Sequence, residues 1–523
     1  MPTRVFILLF VIAFMAACAP NHVIQPLHPN STETSTPVIA SESATPELMP
    51  TEIEGPNPSY KVAAFYYPWY GNPTVDGKWI HWTQNNHFPP DNIASDYYPA
   101  LGAYSSNDPT VVAQHMKWLR QAGLGVIITS WWGQGSREDQ AVPLLLQTAE
   151  QYGIKVAFHI EPYSGRTPES LVSDIKSIYE KYGSSPAFFR SSATSRYSPS
   201  GQPKGMFFVW SIQDQATNKF SYWQKALDEI HALPEGGLVI ANSLEAGWIE
   251  GSHFDGLYNY ATLHLEHNGG FSWARSLPPD SLYVPSVIPG FSAKRVGYTD
   301  TTYVPREDGK TFGEQWTSAL DAGIEPALVT VTSFNEWHEG SLIEPPQFGL
   351  NDGNGYTYAD FGTLPAEGYL TLTQNWIDKY LAMTWPSAYP ARIKISTTSD
   401  WTTLNSVSGG AWIRPERVSA SDSATTAGME AGDRFVLTQS LADANAGKEV
   451  EMTWDVMLTN LAADQDLILQ IDRGNIGKTQ VTIYNYMGST PVAVKTFEWD
   501  QVTGDRNSHP ITVPAELLMN SNP

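Results

Sequence analysis

Glu336 and Glu339 stand three residues apart in the run Asn335-Glu336-Trp337-His338-Glu339-Gly340, directly after an apolar stretch that ends at Phe334. Two carboxyls held in one pocket raise each other's proton affinity, and burial raises it further, so one can stay protonated near neutral pH while the other is ionised. Cleavage of a glycosidic bond asks for that pairing: an acid to protonate the leaving oxygen and an ionised group near the anomeric centre. Residue types alone leave open which glutamate is the acid. His338, between them, can hydrogen-bond either one. A metal role for it is not expected, because a single His beside Glu lacks the spaced second His of a zinc-binding helix, and no cofactor is called for.

These residues need a wall to stand on. Ala327 to Phe334 is rich in β-branched and aromatic residues, carries no charge and follows Pro326, the pattern of a strand covered on both faces. From Lys61 onward, eight apolar runs begin near Lys61, Val126, Lys155, Gly205, Gly237, His253, Leu282 and Pro326. Amphipathic stretches separate several of them. Asp108-Pro109 precedes Val111 to Leu124, Thr167-Pro168 precedes Leu171 to Tyr182, and a third stretch runs from Ser221 to Ala232. A capping Asp or Thr followed by Pro is a helix start. The alternation predicts an α/β fold, a (β/α)8 TIM-type barrel over residues 58–388. Such barrels keep functional residues at the C-terminal ends of their strands. Those ends read Tyr66-Tyr67-Pro68-Trp69-Tyr70-Gly71, Ser130-Trp131-Trp132-Gly133, His159-Ile160-Glu161-Pro162-Tyr163 and Asp255 to Tyr260, a rim of rings and carboxyls suited to sugar.

Composition agrees. The 523-residue chain has a net charge of −23, which argues against nucleic acid or an anionic membrane surface as partner and favours a neutral oligo- or polysaccharide. Eighteen Trp and 25 Tyr suit sugar stacking. Arg4 precedes an apolar run, Val5 to Ala17, too short to span a bilayer, and Met15-Ala16-Ala17-Cys18 resembles a bacterial lipobox. Cys18 is the sole cysteine, so the expectation is a lipoprotein signal peptide over 1–18, a lipid on Cys18 as the sole membrane attachment, and a place in the bacterial cell envelope, surface-exposed or periplasmic. Residues 19–57, rich in Pro, Ser and Thr, read as a disordered tether. Beyond 388 the grain changes to short alternating runs such as Val450, Met452, Trp454 and Val456, which predicts a small all-β sandwich over 389–523. No closing strand is evident before Asn520-Ser521-Asn522-Pro523, so this module is expected to be incomplete.

Taken together, Phe65 to Pro73, Ser130 to Gly133, His159 to Tyr163 with Gly165-Arg166, Phe254-Asp255-Gly256, and above all Ser333 to Gly340 with Ile343-Glu344 resemble glycoside hydrolase family 99, over about residues 60–385. The resemblance implies a (β/α)8 barrel that cleaves internal α-mannosidic bonds with retention and without a metal. It also implies that Glu336 acts as base on the substrate's own 2-hydroxyl, giving a 1,2-anhydro sugar, and that Glu339 is the general acid. Trp131 and Glu161 would line the subsite before the cleaved sugar, with Tyr66, Trp69, Tyr258 and Tyr260 nearby, and Asn335 and His338 beside the pair. The pattern departs around Pro289-Gly290-Phe291-Ser292-Ala293-Lys294-Arg295, where the family usually carries an Arg followed by Pro-Trp, so subsite preference in the 289–298 loop does not carry over. Two other readings compete: an endo-hydrolase of another neutral α-glycan, and a catalytically silent glycan-binding surface lipoprotein. The presence of both glutamates speaks against the second.

Overall fold

The computed structural model describes residues 55–517 apart from 214–219, 261–270, 272, 275–276, 279, 298–302, 323, 384–388, 407–411, 421–425, 431–433, 460–465, 475, 488–489, 501–506 and 515–516. The expected signal segment with Cys18, and the tether up to residue 54, lie outside the described residues. Among the described residues no helix is long and apolar enough to cross a membrane.

The eight apolar runs become the staves of one parallel sheet. These are β1 (Ser59–Tyr66), β2 (Leu124–Trp131), β3 (Lys155–Ile160), β5 (Lys204–Val209), β6 (Leu238–Asn242), β7 (Gly256–Tyr258), a split stave of β8 (Leu282–Val284) and β9 (Ser286–Val287), and β10 (Val329–Val331). The two-residue β4 (Arg190–Ser191) pairs antiparallel with β5. β8 pairs with β7 and β9 with β10, while β10 pairs in turn with β1. Only Pro285, which has no N–H to give, separates β8 from β9. Its carbonyl still accepts from the Thr330 N–H at 2.8 Å, so the sheet closes on itself as an eight-stave barrel. Beside this break the Asn259 side chain supplies both missing groups: its Oδ1 accepts from the Ser286 N–H (2.9 Å) and its Nδ2 donates to the Ser286 carbonyl (3.3 Å). The last stave is shorter than the Ala327–Phe334 expected, because beyond Val331 the chain bonds to several neighbours in turn rather than to one.

Helices pack outside the staves: α1 (Pro109–Gln121), α2 (Arg137–Gln151), α3 (Pro168–Tyr182), α4 (Gln224–His231), α5 (Gly247–Ser252), α6 (Lys310–Leu320) and α7 (Gly368–Ala382). Their starts follow the capping signals. Asp108 accepts from the Thr110 N–H at 2.9 Å, and Thr167 and Ser170 form a reciprocal capping box ahead of α3. α2 contains Pro143, which cannot donate to the Asp139 carbonyl one turn back. The Tyr182 hydroxyl, on α3, reaches that carbonyl at 3.1 Å and the Asp139 carboxylate at 2.8 Å, so its one hydrogen is divided between them and ties this turn to the next helix.

Residues from Tyr389 onward form ten strands in two five-stranded antiparallel sheets. In chain order these are β11 (Tyr389–Thr397), β12 (Trp401–Ser406), β13 (Trp412–Ala420), β14 (Thr426–Glu430), β15 (Arg434–Thr438), β16 (Val450–Thr459), β17 (Leu467–Arg473), β18 (Thr479–Met487), β19 (Thr490–Trp499) and β20 (Asn507–Val513). Ile393, Ile395, Val481 and Ile483 from one sheet meet Leu404, Leu469, Ile471 and Ile511 from the other in a single apolar core, at the two-residue spacing of a sandwich. The predicted pairing of a barrel with an all-β module is the fold observed.

Replacing the α3 cap, Thr167→Ala, is expected to cost about 1 kcal/mol of stability. The midpoint of urea unfolding measures that cost, and activity at 25 °C should stay unchanged.

Candidate active site

Where β10 and β1 run out, their pairing continues through a side chain. Phe334 N–H donates to the Phe65 carbonyl at 2.8 Å. One residue on, Asn335 Oδ1 accepts from the Tyr67 N–H at 2.7 Å and Nδ2 donates to the Tyr67 carbonyl at 3.1 Å. A carboxamide carries the donor and acceptor of a peptide group, so Asn335 stands in for one more rung of ladder. Fully buried in this role, it is a structural clamp, which corrects the expectation that it contacts sugar.

The loop that follows is tied at several points. Ser333 Oγ accepts from the Glu336 N–H at 2.8 Å, and Ser333 N–H donates to the Ser341 carbonyl at 2.8 Å, joining the two ends of the turn. Arg306 donates to the carbonyls of Gly340 (2.8 Å) and Leu342 (2.6 Å) while packed among the rings of Tyr97, Phe361 and Tyr369. Gly340 has φ +58°, and a Cβ there would lie 2.8 Å from the Ser292 carbonyl oxygen, so glycine is required. Behind the loop, Glu344 is completely enclosed. Its Oε2 accepts from Tyr104 Oη (2.8 Å) and Trp337 Nε1 (2.9 Å), and its Oε1 lies 3.2 Å from His115 Nε2 on α1.

The two glutamates project from this turn into the barrel mouth, Glu336 3% and Glu339 9% exposed. Glu336 Oε1 accepts from the main-chain N–H of His338 at 3.0 Å. Glu339 Oε2 accepts from Tyr260 Oη at 3.3 Å, and Tyr260 is hydrogen-bonded in turn to the Tyr67 hydroxyl. Burial first, then the charge of Glu339, pushes the Glu336 carboxyl well above the usual carboxylate range. Burial likewise raises Glu339, to about 8, with the Tyr260 bond pulling the other way. Among the described residues neither glutamate has a Lys or Arg within ion-pair distance to offset this. Both carboxyls therefore keep their protons to higher pH than a free glutamate does. Tyr67 and Tyr260 are pushed up too, by burial and by the surrounding carboxylates, so both remain hydroxyl donors.

A third carboxylate faces the same space. Glu161 Oε1, at the exit of β3, accepts from Ser130 Oγ at 2.9 Å. His159 Nδ1 lies 2.9 Å from the same oxygen but off the line of a good hydrogen bond, and His159 Nε2 is 2.6 Å from Tyr258 Oη. Among the described residues no group of three or more His, Cys, Asp or Glu could hold a metal ion. Paired carboxyls, a third nearby and a lining of rings describe a sugar-cleaving site at the C-terminal end of a barrel.

The profile of Glycosyl hydrolase family 99 matches residues 58–382. This chain is a member of glycoside hydrolase family 99. It is 35% identical over 390 residues to the glycoprotein endo-alpha-1,2-mannosidase of Mus musculus, covering 66% of this chain and 78% of that one. The Xenopus laevis protein of the same name is 33% identical over 372 residues, covering 63% and 79%. Among solved structures, the GH99 endo-alpha-mannosidase from Bacteroides thetaiotaomicron superposes with a TM-score of 0.54 at 32% identity, covering 62% of this chain and 98% of that one.

In this family 99 site the structure brings together Glu336, Glu339, Glu161, Tyr260, Trp69 and His338, and moves three other predicted residues away. Tyr66 is fully buried, stacked on Phe334 and 2.9 Å from His115 Nδ1 on α1, so it faces the helices. Trp131 also faces the helices, donating from Nε1 to Asp139 on α2 at 2.9 Å. Tyr258 packs inside the barrel against Phe65 and Phe208, beneath His159. The residues missed are the neighbours of the first two: Tyr67, and Trp132, which is half-buried and donates to Ser130 Oγ at 3.1 Å. Successive side chains of a strand point to opposite faces, and counting that alternation from Phe65 or from Ser130 would have chosen them. Trp210, at the end of β5 and edge-on to Tyr260, was missed as well. In the divergent loop Arg295 is held between Tyr356 and Tyr358 and bonded to Asp352 (3.2 Å), while Ser292 N–H donates to the Glu339 carbonyl at 2.7 Å.

The raised affinity of Glu339 has a consequence for stability. Between the ordinary value of 4.5 and about 8, the folded chain keeps a proton that the unfolded chain has released, so stability is full below pH 4.5 and falls as pH rises towards 8. Glu339→Gln removes that penalty. The variant should match wild type near pH 4 and exceed it on the order of 2 kcal/mol at pH 8, read from unfolding curves at both pH values.

Proposed function

We propose that this chain is a retaining endo-α-mannosidase that hydrolyses internal α-1,2-mannosidic bonds of mannan or mannose-rich glycans, displayed on the bacterial cell envelope through a lipid on Cys18. The observation that carries the catalytic part is the unequal setting of the two buried carboxyls. Glu336 receives a main-chain N–H at 3.0 Å, which favours the anion there, whereas Glu339 has only the longer bond from Tyr260 and keeps its proton up to about pH 8, as a general acid needs. The endo-alpha-1,2-mannosidase names of the mouse and frog relatives support the substrate class.

In an α-mannoside the 2-hydroxyl is axial and trans to the leaving group, so its oxygen can reach C1 from behind. Glu336 takes the 2-hydroxyl proton as O2 bonds to C1; the bond from C1 to the leaving oxygen breaks, and that oxygen takes the proton of Glu339. In the second half Glu339 removes a proton from water, the water oxygen bonds to C1, the C1–O2 bond opens, and O2 recovers its proton from Glu336. Two inversions give net retention. Tyr260, bonded to Glu339, holds that carboxyl in place while it changes role from acid to base.

Incubation with yeast mannan, followed by NMR of the fragments as they are released, should show internal cleavage and an initial α-anomer; an initial β-anomer would sink the two-inversion scheme. Glu336→Gln and Glu339→Gln should each lower kcat by roughly 10²- to 10⁴-fold while oligosaccharide affinity is kept. For the anchor, palmitate labelling in a bacterial host should mark the wild type and not Cys18→Ala, and equal labelling of both would remove the lipid from this reading.

A further inference from the structure

His338 holds a polar atom that the scheme above leaves unused. Its Nε2 lies 2.9 Å from the main-chain carbonyl of His81, and a carbonyl can only accept, so the ring's proton is on Nε2. Burial keeps the ring neutral, holding its pKa down to about 4 despite that bond. Nδ1 is therefore a bare lone pair. It is buried, has no hydrogen-bond partner, and faces Glu336 Oε1 at 3.7 Å. That same oxygen already accepts the main-chain N–H of His338, so ring and carboxyl are fixed to each other through one residue's own backbone. The ring is also hemmed in, with Tyr70 at 5.7 Å, His81 at 5.9 Å and Trp69 at 6.2 Å between centroids, and cannot swing towards solvent without displacing them.

An ionised Glu336 thus sets oxygen lone pairs against a nitrogen lone pair in a buried pocket, which is unfavourable until a proton lies between them. Resting on the mannosidase reading, we propose that His338 is a catalytic partner of the base: the proton that Glu336 removes from the substrate's 2-hydroxyl is shared with His338 Nδ1 and returned to O2 when the anhydro ring opens. The O2–H bond breaks as O2–C1 forms; the proton passes to Oε1, whose new O–H donates to Nδ1 over a short closing movement, and the reverse path restores O2–H. Nothing is oxidised or reduced. The base is then a carboxylate and imidazole acting together, able to hold the proton throughout the life of the intermediate while Glu339 handles the leaving group and the water. The titratable groups facing this pair are Glu339 and Glu161 towards Glu336, Tyr70 and His81 from the segment after β1, and His87 beyond them.

The test is the pH dependence of kcat on an α-1,2-mannan for wild type, His338→Gln and His338→Asn. Because Nδ1 favours the protonated carboxyl, its removal lets Glu336 ionise at lower pH. The acid limb should move down by about one pH unit in both variants, with kcat at neutral pH roughly tenfold lower and KM within about threefold of wild type. A fall in kcat with an unmoved limb would mean a merely structural residue, and a rise in KM alone would mean a sugar contact; either overturns the proposal. Should both variants fail to fold, wild type carrying ¹⁵N-labelled histidine still decides it: one unprotonated Nδ1 must titrate with the midpoint of the acid limb, and the lack of such a signal overturns it. A wild type that folds and leaves α-mannan intact sinks the mannosidase reading, and this inference with it, which is a different result from intact wild-type activity with an unmoved limb.

Discussion

The two-point bond between the Asn335 amide and the main chain of Tyr67 is the constraint on which the site rests. It joins the last stave to the first after their backbone ladder has ended, and it fixes where the chain stands one residue before Glu336. Every later contact of the loop builds on that origin. Ser333 closes the turn, Arg306 holds its far end by two carbonyls, and Glu344 fastens Trp337 from behind. The spacing of the two carboxyls is thus set by a wall with few degrees of freedom, which is what pre-organised acid–base chemistry demands.

Enclosure also decides the electrostatics. Cations stand close to the mouth, yet they are engaged elsewhere: Arg166 donates to the carbonyls of Ile160, Trp210 and Ser211, and Arg306 to those of Gly340 and Leu342. They stiffen the rim through its backbone, and among the described residues Glu336 and Glu339 have no Lys or Arg within ion-pair distance. An arginine turned onto Glu336 or Glu339 would stabilise the fold and lower the very proton affinity that lets one carboxyl act as an acid. Stability and acidity pull against each other here, and the local structure favours acidity.

Much of this was legible in the residues. Eight runs, their caps and the change of grain near 389 gave the staves, helices and sandwich, because hydrophobic period and capping are local signals. The acid pair was legible because charge after a covered strand is unusual. What escaped was of two kinds. Tyr66 and Trp131 were chosen over Tyr67 and Trp132, a slip of one position that in a strand exchanges inside for outside. The clamps made by Asn259 and Asn335 were illegible for another reason: they depend on a partner backbone 27 and 268 residues distant, which no window along the chain contains. Pro285 is intermediate, since a proline inside a stave announces an interruption without saying that the barrel closes around it.

Those two asparagines carry a liability. Asparagine is among the residues that heat degrades. Loss of ammonia from Asn335 would replace a donor by a carboxylate oxygen set against the Tyr67 carbonyl, two negative ends within hydrogen-bonding distance and sealed from water. The enzyme's service life at high temperature would then be set by one amide nitrogen in the residue just ahead of Glu336, with wear beginning at the seam and passing straight to the acid pair.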